Sequence, residues 1–180
     1  MAGSVSYVGI VGSGKGYTTA LLSNGTTQTF KGSRGWRNNN PGNLTSDSKS
    51  QSILNRYKSY GAIGYDYGGN MIFSTMQGGF NAQKALVTGT YKDRTIRGML
   101  NGDLNGDGTI DTTFAYAPPG ASNDPNGTNA TYPAYMQAQG WDLDSKISDM
   151  TPEQQNKLIA DMIRKENTTE DANKILEQID

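Results

Sequence analysis

Two stretches of this chain carry enough polar side chains at close spacing to do chemistry. Residues 34–44 read RGWRNNNPGNL and residues 103–114 read DLNGDGTIDTTF. In the first, Asn38, Asn39, Asn40 and Asn43 present four amides beside the guanidinium groups of Arg34 and Arg37 and the indole of Trp36. Each amide has an acceptor oxygen and two donor hydrogens, so the set suits a sugar or peptide groove. The plainer reading is that the asparagines cap and knit a buried turn. In the second stretch, Asp103, Asn105, Asp107 and Asp111 occupy the first, third, fifth and ninth positions of a calcium loop. Gly108 falls at its sharp turn, Thr109 offers a carbonyl and Ile110 takes the apolar position. Phe114 stands where the bidentate carboxylate belongs, so the expectation is a structural Ca²⁺ held weakly, with a polar hairpin as the alternative.

Absences narrow the chemistry further. The chain has no Cys and no His, which excludes thiol nucleophiles, disulfides, an imidazole base and ordinary zinc sites. Carboxylates must then carry any acid–base step. The 16 Lys and Arg are scattered and the net charge is −1, so no phosphate-reading surface, and hence no nucleic acid partner, is expected. No apolar run approaches the roughly 18 to 20 residues of a membrane span, and the start lacks a secretory signal. The expected location is a virion, or the cell wall or periplasm reached by a non-Sec route. Residues 9–18, GIVGSGKGYT, are no phosphate loop, because Gly16 stands where Ser or Thr must reach the metal.

The elements that must position these residues follow from pattern. Short apolar runs over 5–11 and 17–22, with an Asn24-Gly25 turn before TTQTF, predict two or three strands in residues 1–33. Residues 34–44 are expected to be an ordered loop, because Asn competes for its own backbone and Pro41 lacks a donor. A polar link covers 45–60, and GAIGYDYGGNMIFS predicts a second strand pair. Phe80, Ala82, Leu86 and Val87 line one helix stopping near Gly89; Thr95, Ile96, Met99 and Leu100 line a shorter one. Tyr132 and Tyr135 sit on a helix ending at Gly140. Thr151, Pro152 and Gln154 form a capping box for a helix whose stripe is Leu158, Ile159, Met162 and Ile163, with Glu166 at its end and a short tail helix after it. The fold class is therefore α+β: a mainly helical body with a small antiparallel sheet and an N-terminal β segment. The expected division is a docking segment over 1–33 and a body over 34–180 carrying the calcium-like insertion at 101–114.

RGWRNNNPGNL, GAIGYD with its strand ending at Phe73, then Gly79, Ala82, Leu86, Tyr91, TIRGML, YAPP, Asn123-Asp124, Tyr132, TPEQ and Glu166 follow one another in an order that resembles a family of phage virion proteins. Its relatives accompany phage tails and contractile injection systems. The resemblance spans about residues 34 to 166 and departs at two places. The calcium-like loop interrupts the approach to YAPP, and the acidic element that follows is stretched into GASNDPNGTN without the family's Glu.

A helix ending in an acid, with a polar loop and small sheet elsewhere in the chain, is similar to a circularly permuted lysozyme-like domain. On that likeness Glu166 is the general acid for the glycan strand of peptidoglycan, in the manner of a muramidase or lytic transglycosylase, and Asp47 is the first candidate if a second carboxylate is needed. Asn39, Asn40 and Asn43 are then expected to hold acetamido and hydroxyl groups, Arg37 a lactyl or peptide carboxylate, and Trp36 a sugar face. The alternative is a non-catalytic virion or baseplate component that binds peptidoglycan. In both cases the N-terminal β segment is the expected contact with tail, baseplate or injection-machine proteins.

Overall fold

The computed structural model describes residues 5–121, 124 and 126–180. Asn123, one of the residues that carries the resemblance, lies outside them. The fold is α+β, and the chain divides into two compact units, Met1–Gln83 with Glu166–Asp180, and Lys84–Lys165. The N-terminal strands belong to the same unit as the asparagine loop.

In the first unit, β1 (Tyr7–Gly14), β2 (Tyr17–Leu22) and β3 (Thr27–Lys31) form an antiparallel sheet in that order. The Asn24-Gly25 turn falls between β2 and β3 as the sequence requires, and Gly25 takes a φ of 84° that a side chain would resist. Alternation sets the faces: Thr18, Ala20 and Leu22 are buried, while Tyr17 and Leu21 are exposed. A second antiparallel pair, β4 (Ala62–Tyr65) and β5 (Met71–Phe73), supplies Ile72 to a core shared with Tyr7, Ala20 and Leu22. The two sheets thus bury one apolar cluster between them.

Two local expectations change. Residues 34–44 begin with a one-turn helix, α1 (Arg34–Arg37), before the loop, because the asparagines and Pro41 that disfavour helix start only at position 38. The link over 45–60 contains α2 (Gln51–Arg56), whose start is fixed by Ser50 accepting from the Ile53 amide at 3.3 Å. Helix α3 (Met76–Ala85) follows β5 and continues into the second unit as a π-helical stretch, Leu86–Thr90.

The second unit contains α4 (Ile96–Asn101), α5 (Tyr132–Ala138) and all but the last residue of α6 (Pro152–Glu166). Thr151 and Gln154 make the reciprocal capping box, with distances of 2.8 and 3.2 Å. The stripe of α6 is fully inside: Leu158, Ile159, Met162 and Ile163 are each 0 % exposed. Asp161 is also buried there, yet it is neutralised by Arg164 at 2.9 Å and receives the Trp141 indole hydrogen at 2.8 Å. Helix α7 (Thr169–Leu176) returns the chain to the first unit, packing against α1.

Candidate functional site

The asparagine loop is held in place by its own amides. Asn38 is buried; its oxygen accepts the Thr18 hydroxyl at 2.6 Å and its amide donates to Asp66 Oδ2 at 3.0 Å. Asn39 takes a left-handed φ of 51° and donates to the carbonyls of Phe73 and Ser74. Asn40 donates to the carbonyls of Leu44 and Met71, both at 2.9 Å, and accepts from the Leu44 amide. These bonds satisfy backbone groups next to β5 that the irregular loop would otherwise leave unpaired.

This geometry corrects part of the expected binding set. Asn40 is 0 % exposed with its amide engaged on the protein, so it has no polar surface for a ligand. Arg37 is buried too: one terminal nitrogen donates to the Gly32 carbonyl at 2.6 Å. Burial holds its guanidinium below the ordinary arginine value, opposed by the nearby Asp66 carboxylate, and it remains a cation with no outward face for a lactyl carboxylate. Asn39, Asn43 and Trp36 stay partly accessible.

Asn43 connects the loop to the acid. It also has a left-handed φ, of 49°, and its amide donates to the Glu166 carbonyl at 3.4 Å, while the next residue, Asn167, donates to the Pro41 carbonyl at 3.3 Å. The end of α6 is therefore seated against the asparagine loop within one unit. The Glu166 side chain is half-buried and its Oε2 is buried. The close approach leaves no room at Gly35, where an added Cβ would collide with the Asn167 side chain. Asp47 is exposed in the turn that follows the loop.

The sequence reading missed Asp66, the residue on which the loop is centred. Asp66 is 1 % exposed; besides Asn38 it accepts the amides of Gly68 at 2.9 Å and Asn70 at 3.0 Å, with Arg34 Nε at 3.8 Å. The available signal was its place in GAIGYDYGGN, an aspartate two residues before a Gly-Gly turn, which is where a carboxylate caps its own backbone.

In the second unit the calcium-like loop is closed by its own carboxylates. Asp103 is buried and accepts the amides of Asp107 and Gly108; Asp107 accepts from Thr109 and Asp111 from Thr113. Backbone and hydroxyl hydrogen bonds from Thr113 hold the Asp111 carboxyl below the usual range. Asn105 and Thr109 are exposed. Among the described residues no group of three or more acidic side chains is gathered as a metal site. Asp103 accepting the Asp107 and Gly108 amides is a geometry shared by a calcium loop and a polar hairpin.

No protein-family model, curated protein or solved structure matches the chain. No helix among the described residues is long and apolar enough to cross a membrane.

Proposed function

We propose that the protein cleaves the glycan strand of peptidoglycan, as a muramidase or lytic transglycosylase carried by a phage tail or injection machine, with Glu166 as the general acid. The observation that supports this reading is the seating of Glu166: its carboxyl is half-buried at the end of α6, its backbone carbonyl accepts the Asn43 amide of the asparagine loop, and the neighbouring Asn167 donates to the Pro41 carbonyl. A general acid must not drift from the scissile oxygen, and a helix end held through its backbone meets that need. Asn39 and Asn43 are partly accessible, and with the Asn39 amide hydrogens on the Phe73 and Ser74 carbonyls it is the Asn39 oxygen that is left to accept from a hydroxyl or acetamido group; Asp47 remains the candidate for a second carboxylate. Where the substrate's own acetamido group acts as nucleophile, one acid suffices.

The test is release of soluble sugars from purified peptidoglycan, parent against Glu166→Gln. Loss of a general acid costs about 10²- to 10⁴-fold. Activity that survives the substitution would remove Glu166 from the mechanism.

A second reading, a non-catalytic virion or baseplate part that binds peptidoglycan, is favoured by the inward turn of Asn38, Asn40 and Arg37, which makes the loop a scaffold. A parent protein that sediments with several cell walls yet releases nothing from any of them supports it.

A further inference from the structure

A groove of about 650 Å³ lies between the N-terminal sheet, the asparagine loop, the start of α3 and the residues after α7, all within the first unit. Its size is that of an ordinary ligand pocket, about 300 to 1,000 Å³. Glu166 does not line it. We propose that this groove binds a neutral oligosaccharide, separately from the acid at Glu166.

The lining selects the ligand. None of the described residues lining the groove carries a charged side chain, and Lys174 Nζ, 5.6 Å over the Trp36 ring, is engaged by Glu170 at 2.7 Å, so the lining has nothing to pair with a phosphate, a carboxylate or an ammonium group. Three aromatic rings, Tyr7, Phe30 and Trp36, meet there with the amides of Gln28 and Gln178 and with the side-chain oxygen of Asn39, whose amide donates to the Phe73 and Ser74 carbonyls. Aromatic faces accept the C–H faces of sugar rings, and a primary amide offers donor and acceptor in one plane, which matches adjacent hydroxyls or an acetamido group. Gln28, on β3, and Gln178, after α7, are both exposed, and neither side-chain amide has a hydrogen-bond partner among the described residues. A purely apolar ligand would desolvate these amides without replacing their hydrogen bonds, which is costly. A peptide adding as a strand would pair along a backbone edge. The groove is instead walled by side chains on one face of the sheet: Gln28 is paired with the buried Ala20, and the half-buried Phe30 with the buried Thr18.

The neutral oligosaccharide follows from the lining alone; the choice of an N-acetylated one rests on the peptidoglycan reading. The probes are tri-N-acetylchitotriose and cellotriose, titrated against the full chain by calorimetry and against Trp141→Phe by fluorescence, where Trp36 is the remaining tryptophan. The expected result is a saturable change in Trp36 emission with chitotriose, weakened roughly tenfold in the Gln28→Ala/Gln178→Ala double variant. Thermal unfolding of that variant should match the parent. Binding of cellotriose but not chitotriose upholds the groove and counts against the peptidoglycan reading. Absence of saturable binding to either sugar, or binding equally strong in the double variant, overturns the proposal even if Glu166 proves catalytic.

Discussion

Asn38 and Asp66 meet through a 3.0 Å hydrogen bond in which both side chains are buried, and the same asparagine accepts the Thr18 hydroxyl from β2. One amide thereby joins the N-terminal sheet, the asparagine loop and the turn after β4. Removing Asp66 would leave the Asn38 amide and the backbone donors of Gly68 and Asn70 without their acceptor. Asp66→Ala is expected to cost on the order of 3 kcal/mol in denaturant unfolding, more than a neutral hydrogen bond because the acceptor is a carboxylate. A loss below about 0.5 kcal/mol would show that water replaces Asp66 and that the loop does not depend on it.

The helix that delivers Glu166 depends on its buried stripe. Leu158 is 0 % exposed, so Leu158→Ala is expected to destabilise by roughly 2 to 5 kcal/mol, the range for a large-to-small core change. Chemical denaturation measures it directly. A much smaller cost would place the stripe in solvent.

Tyr7 gives a prediction at high pH. Burial pushes its phenol above the ordinary value, and its hydroxyl donates to the Arg37 carbonyl at 3.2 Å. A folded-state pKa above the unfolded one means that the native state keeps a proton the unfolded chain has released. The contribution is complete below the unfolded value near pH 10 and is lost as pH rises beyond it. Above that pH, parent stability should fall more steeply than that of Tyr7→Phe, by about 1.4 kcal/mol per pH unit. Parallel alkaline limbs would show that Tyr7 ionises freely in the native state.

The calcium proposal is tested by ligand addition. If residues 103–114 bind one structural Ca²⁺, the missing carboxylate at Phe114 places affinity toward the weak end, roughly 10⁻⁴ to 10⁻³ M. Millimolar calcium should then raise the melting temperature of the parent, with the logarithmic dependence of a linked ligand. Asp111→Ala, at an exposed position, should abolish that shift, and Asp103→Ala should do the same. A parent melting curve that ignores calcium, with no calorimetric heat, means that the loop is a self-capped polar hairpin and the ion should be dropped.

Local signals decided much of this protein from sequence alone. The Asn24-Gly25 turn, the Thr151 and Gln154 capping box and the apolar stripe of α6 each act within a few residues of chain, so the N-terminal strands, expected as two or three and found as three, the α6 start and its buried face were legible without coordinates. What the polar side chains would face was not. Asn40 and Arg37 look like ligand groups in a linear reading, and only folding shows their polar atoms turned to the carbonyls of Leu44, Met71 and Gly32. An irregular loop beside a buried strand must satisfy its backbone somewhere, and the nearest side-chain donors are used for it. Asp66 became visible for the same reason, as the acceptor that the packed loop requires. Tertiary structure also decided that α6 ends against the asparagine loop. The contact between Asn43 and Glu166 spans 123 positions, a separation that no local pattern encodes, because long-range pairing is set by how whole apolar faces pack.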